Sequence, residues 1–213
     1  MWRIIGQKNF VIIFIFLFAS ITFTRAEDRA ITRVVAGIEL GMSLQEIGKI
    51  FQIEEKEDAV ISLMRKFGFG NPEKQSKINK KLGKQVFGVK SNLPKGSDSM
   101  ELFTRNGILY QIALHYGKDY VQKVDWDLFT QPAIKKYGQP SVLNDVQNMS
   151  SFSYQWDDGQ TKLEIAKGGT LSDDKNKFTT AIYNVFYTDV KAYNIMEEDE
   201  KNEMEKATSI PEF

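Results

Sequence analysis

The chain has no cysteine, one histidine, five prolines and no net charge, its 213 residues carrying 28 basic and 28 acidic side chains. Without cysteine there are no disulfides, thiol nucleophiles, iron–sulfur clusters or cysteine zinc sites. With His115 as the sole imidazole, a serine triad or a zinc site would depend on that one residue. The charge balance argues against a nucleic-acid partner, which needs a basic surface to neutralise phosphates. The sequence has no G-x-S-x-G, H-E-x-x-H, P-loop or G-x-G-x-x-G pattern. Gly68-Phe69-Gly70 is a glycine pair that reads as a loop, and Asp157-Asp158-Gly159 lacks the calcium-loop spacing and reads as a turn. No catalytic residue, metal ligand or cofactor site is therefore expected. What is present, 42% hydrophobic and 26% charged residues, is the composition of an ordinary globular protein.

The first 26 residues read as an address. Arg3 and Lys8 precede an uncharged apolar run from Phe10 to Phe23, and Thr24-Arg25-Ala26 follows. A positive start, a short apolar run and small residues before the cut describe a secretory signal peptide, cleaved between Ala26 and Glu27. This predicts a periplasmic or secreted protein. The run is shorter than the ~20 residues a spanning helix needs. The alternative is a leader retained over 10–23, which would tether a structural protein to the membrane. A membrane is expected as a partner only in that case. No cysteine follows the run, so a lipoprotein anchor is not expected.

Beyond the leader, hydrophobic spacing and turn chemistry predict an α+β fold. It would be an antiparallel sheet with short helices packed on one face, over 34–190. Ser43 followed by Glu46 forms a capping box, and Leu44, Ile47, Ile50 and Phe51 follow at helical spacing, giving a helix over 44–52. A helix or helix-to-strand stretch is expected over 55–66. Asn106-Gly107 sits between alternating runs, with Met100, Leu102 and Thr104 on one side and Ile108, Tyr110, Ile112, Leu114 and Tyr116 on the other. That is a hairpin with one buried face. A helix is expected over 125–137, with capping roles for Asp125 and Asp127 or a cap at Thr130 that leaves Pro132 in its first turn. A second hairpin turns at Asp158-Gly159, and a long strand covers 178–188.

Two stretches stand apart in charge. Residues 71–96 carry seven lysines against Glu73 alone, with glycines and Pro94 interspersed, and read as a solvated insertion. Residues 191–213 form an acidic tail with few apolar positions, read as a frayed helix or disordered. The order of helix then hairpin occurs twice, over 37–117 and 125–189, with Asn106-Gly107 laid over Asp158-Gly159. Two such units would share one core as a tandem repeat.

Gly37-Ile38, then Leu40-Gly41-Met42-Ser43, resembles a lead-in of small exported domains. So do Tyr137-Gly138-Gln139-Pro140, Trp156-Asp157-Asp158-Gly159 and Tyr187-Thr188-Asp189 in the second half. These domains are the barrel-assembly small lipoprotein and β-lactamase inhibitor protein relatives. The resemblance implies helices packed on an antiparallel sheet whose face or loops bind other proteins. This chain departs from those relatives in having neither a lipidated cysteine nor a cysteine pair.

The expectation for function is an exported, non-enzymatic binding module of the bacterial envelope with an envelope protein as partner. The alternatives are the tethered structural protein, or a small-ligand carrier or hydrolase with a deep pocket. The candidate partner-binding residues are the aromatics Tyr154, Trp156 and Tyr187, if the sheet leaves them bare, and the cations Lys77, Lys80, Lys81 and Lys84.

Overall fold

The computed structural model describes residues 30–143, 152–171 and 178–208. The expected cleavage site at Ala26 and Glu27 lies outside the described residues. Val34–Val35 (β1) and Ile38–Glu39 (β2) make a two-stranded ribbon turning on Ala36 and Gly37, whose φ angles are 54° and 87°. The first helix is Leu44–Ile50 (α1). Ser43 accepts the Glu46 N–H while the Glu46 carboxylate accepts the Ser43 N–H at 2.8 Å, so both orphan donors are satisfied.

The chain then runs through strand Ile53–Lys56 (β3) and helices Ala59–Phe67 (α2) and Pro72–Lys81 (α3). Strands Lys84–Val89 (β4), Ser99–Arg105 (β5) and Ile108–Tyr116 (β6) follow. A short turn of helix at Lys118–Val121 (α4) leads to Trp126–Tyr137 (α5). Strands Ser141–Leu143 (β7), Phe152–Asp157 (β8), Thr161–Leu171 (β9) and Phe178–Asp189 (β10) come next. The last element is Val190–Thr208 (α6).

One eight-stranded sheet has the order β3-β4-β5-β6-β10-β9-β8-β7, every neighbouring pair antiparallel. It is two four-stranded meanders, β3 to β6 and β7 to β10, joined through their last strands. The two glycine turns do not occupy equivalent places in them. Asn106-Gly107 links the third and fourth strands of the first meander, whereas Asp158-Gly159 links the second and third of the second.

The main core lies on one sheet face. Met100 and Leu102 of β5, Ile112, Leu114 and Tyr116 of β6, Leu163 and Ile165 of β9 and Tyr183 and Val185 of β10 point there. Ile31, Ile38, Leu40, Ile47 and Trp126 from the N-terminal segment, α1 and α5 cover them. A bulge between Phe103 and Thr104 pairs Leu109 with Thr104 and leaves Tyr110 as the extra residue of β6. The register shift turns Leu109 into the core and Tyr110 to the opposite face, and leaves Ile108 exposed. The expected single alternation through Ile108 and Tyr110 is corrected accordingly.

Three further expectations differ. Helix α5 is capped by Asp125, which accepts the Leu128 N–H at 2.8 Å; Thr130 is buried mid-helix and donates to the Trp126 carbonyl, with Pro132 inside the helix. Residues 71–96 are no solvated insertion, because they supply α3 and the second strand of the sheet. Residues 190–208 form one helix on the second sheet face, with Met196 only 3% exposed and Tyr193 meeting Tyr110 at 6.3 Å between centroids.

Candidate functional site

The aromatic candidates are used inside the protein. Trp156 is 6% exposed and its indole N–H donates to the Gly138 carbonyl at 2.9 Å. Tyr154 packs against both Trp126 and Trp156, with centroid distances of 5.3 and 6.3 Å. Tyr187 lies against the same core, where burial pushes its hydroxyl up to about 12. Alternation on β8 and β10 places all three on the helix-covered face, so the bare aromatic sheet face is not there.

The lysine candidates do come together, in two sets. On α3, Gln75, Ile78 and Asn79 form the buried side, and Lys77 and Lys80 lie on the opposite, exposed side. Lys81 and Lys84 turn toward α6. Lys81 pairs with Glu203, Lys84 with Glu200 at 2.8 Å, and Arg105 with Asp199. Gln75 reaches Glu200 at 2.6 Å. The acidic helix thus neutralises one flank of the lysine-rich segment and leaves the other facing solvent.

The preceding helix carries an apolar stripe not anticipated from the sequence. On α2 only Ile61 is buried. Val60, Leu63 and Phe67, three and four residues apart, share the outer side and are 52%, 43% and 50% exposed. Phe69, also 50% exposed, follows them in the connection to α3. Every residue from Arg65 to Asn71 is exposed, so this connection protrudes as a tip.

The tip is built rather than loose. Gly68 closes α2 in the left-handed region at φ 68°, Asn71 caps α3 by accepting the Lys74 N–H at 2.9 Å, and Pro72 opens the helix. Arg65 bridges the two helices, pairing with Glu57 and with Glu73 at 2.9 Å. Asp58 caps α2 and also accepts from Asn79 of α3 at 3.2 Å. The helical spacing of Val60, Leu63 and Phe67 beside Arg65 and Lys66 was the signal in the sequence.

A second polar constellation crosses five strands on the sheet face away from the main core. Lys56 of β3 passes over Gly88 of β4, where an added Cβ would lie 2.4 Å from its Cε, and reaches Glu101 of β5 at 3.2 Å. His115 of β6 has Nε2 3.4 Å from Glu101, and its Nδ1 lies 2.7 Å from Asn184 Oδ1 on β10. Hydrogen bonding from His115 holds the Glu101 carboxyl at about 2, against the effect of burial. The reciprocal bond to Glu101 raises the His115 imidazole above its ordinary value. Both ring nitrogens face acceptors, which is the hydrogen-bonding pattern of an imidazolium. The row acts as a charged cross-brace for the sheet.

Two concave regions lie among the described residues. A polar cleft of about 380 Å³ lies among β3, β4, α2 and α3, lined by Glu55, Asp58, Lys80, Lys84 and Tyr110 among others. An apolar groove of about 310 Å³ lies between α5 and the sheet, lined by Tyr116, Phe129, Ala133, Tyr137, Leu163 and Tyr187 among others. The described residues contain no cluster of three His, Cys, Asp or Glu side chains placed to hold a metal, and no helix long and apolar enough to cross a membrane. Comparisons with family models, curated proteins and solved structures find no match.

Proposed function

We propose that the chain is an exported, non-enzymatic binding module of the bacterial envelope, and that the α2–α3 hairpin is its recognition surface. The carrying observation is the exposed stripe Val60-Leu63-Phe67 with Phe69, on a hairpin whose second helix exposes Lys77 and Lys80. Apolar side chains left in water beside unburied cations mark a surface made to be covered. Export rests on the leader and its expected cut after Ala26. The test places a photo-crosslinking residue at Phe67, at Lys77 or at the distant exposed Lys123, in cells. Adducts at the first two positions and not the third, on a protein beginning at Glu27, support the reading. Equal adducts at all three, or none, refute the surface, and a first residue of Met1 refutes cleavage.

A small-ligand carrier is the second reading, and the apolar groove under α5 is the feature that favours it. A carrier would quench or shift an alkyl-chain fluorophore in a manner abolished by Ala133→Trp. Unchanged fluorescence in the parent protein rejects it.

A further inference from the structure

We infer that the α2–α3 tip docks on an anionic phospholipid bilayer; this rests on the hairpin being the recognition surface and names its partner. The apolar side chains are at the end of a protrusion and not in a groove. Phe67 and Phe69 stand on either side of Gly68, each half exposed, within a run from Arg65 to Asn71 in which every residue is exposed. A protruding pair of phenylalanines suits insertion into the soft headgroup–acyl boundary, where rings need no matching pocket.

The surrounding charge points the same way. From Arg65 to Lys81 there are one arginine and five lysines against a single acid, Glu73, which is engaged with Arg65. Lys77 and Lys80 are the exposed cations on the side of α3 opposite its buried residues. Protein interfaces are depleted in lysine and anchored by tyrosine, tryptophan and arginine in well-packed pockets. This surface shares only its phenylalanines with such interfaces: its other apolar members are leucine and valine, which are under-represented among anchors, and its outward cations are lysines. Long lysine stems beside an apolar stripe keep their ammonium groups at headgroup level while the stems lie along the hydrocarbon.

The fold keeps that orientation. Ile61 and Ile78 are buried on the inner sides of the two helices, and Arg65 and the Asp58–Asn79 hydrogen bond tie them together. The acidic α6 sits against the inner flank through Lys81 and Lys84. Its repulsion from an anionic surface favours approach by the tip and disfavours approach by the side α6 occupies.

The experiment uses the exported form, residues 27–213, whose described core is drawn entirely from Ile31 onward. Sedimentation is measured with vesicles of phosphatidylcholine alone and of equal parts phosphatidylcholine and phosphatidylglycerol. The expected result is partitioning on the order of tenfold stronger to the anionic vesicles, weakened by added salt. The double variants F67S/F69S and K77Q/K80Q should each lose about tenfold, with unfolding midpoints near that of the parent. The control Lys123→Gln should partition like the parent. Equal binding to neutral vesicles, or full binding by F67S/F69S, overturns the inference. So does failure to bind either vesicle while crosslinks at Phe67 still capture a protein, and that result leaves the recognition surface standing. Loss of both signals removes the surface as well.

Discussion

His115 and Glu101 stabilise each other within a pH window set by their shifts in opposite directions. The raised imidazole contributes fully below about 6.5 and loses its contribution as pH rises through its folded-state value. The depressed carboxylate contributes above about 4.5 and loses its contribution as pH falls toward 2. His115→Gln is therefore expected to cost on the order of 1–3 kcal/mol near pH 5.5 and clearly less at pH 9, measured by urea unfolding at both pH values. An equal cost at the two would show that the imidazole is neutral in the fold. Trp156 sets a second residue-scale expectation. Trp156→Phe removes the bond to Gly138 and costs about 1 kcal/mol, while Trp156→Ala also opens a cavity and costs about 3–5 kcal/mol. A near-silent Trp156→Ala would place the ring outside the core.

At the scale of elements, α1 depends on its cap. Ser43→Ala removes one half of the reciprocal pair with Glu46 and should lower stability by about 1 kcal/mol in denaturant unfolding, with the slope of the transition unchanged. This helix was legible because side chain, spacing and burial agree: Ser43, Glu46 and Ile47 each do locally what the fold asks of them. The hairpins at Asn106-Gly107 and Asp158-Gly159 were legible for the same reason, since Asn106, Gly107 and Gly159 take the positive φ their tight turns need. Helix α3 was not legible. Its buried side is Gln75 and Asn79 around a single Ile78, and those polar groups bond to each other, to Asp58 and to Glu200, 125 residues away from Gln75. No local apolar period can reveal a helix whose inner side is solvated by another part of the chain. Helix α6 was obscured by the same partnership seen from its acidic side. The lysines of the candidate surface were found by charge alone, but their division into an outward and an occupied set depends on α6. The bulge at Phe103 hid the true faces of Ile108 and Tyr110, and burial of Tyr154, Trp156 and Tyr187 followed from which sheet face the helices cover.

At the scale of the whole molecule, the sheet is closed by its last strand. β6 and β9 lie on either side of β10, so the strand pairing between the two meanders runs through residues 178–189. A chain ending at Lys177 would leave the inner edges of both meanders unpaired, and with them the apolar side chains of Leu114 and Ile165. It is expected to aggregate, read as loss from the supernatant after sedimentation, while a chain ending after Thr208 stays in it. Recovery of the shorter chain as a folded monomer would show that the meanders are independent.

The position of β10 also bears on biogenesis. A polypeptide threaded across a membrane from its N-terminus delivers β10 and α6 after everything they must join. Until then the first meander waits with an open inner edge and an unneutralised run of lysines. On the proposed export route, folding to completion would therefore follow release and not accompany the passage.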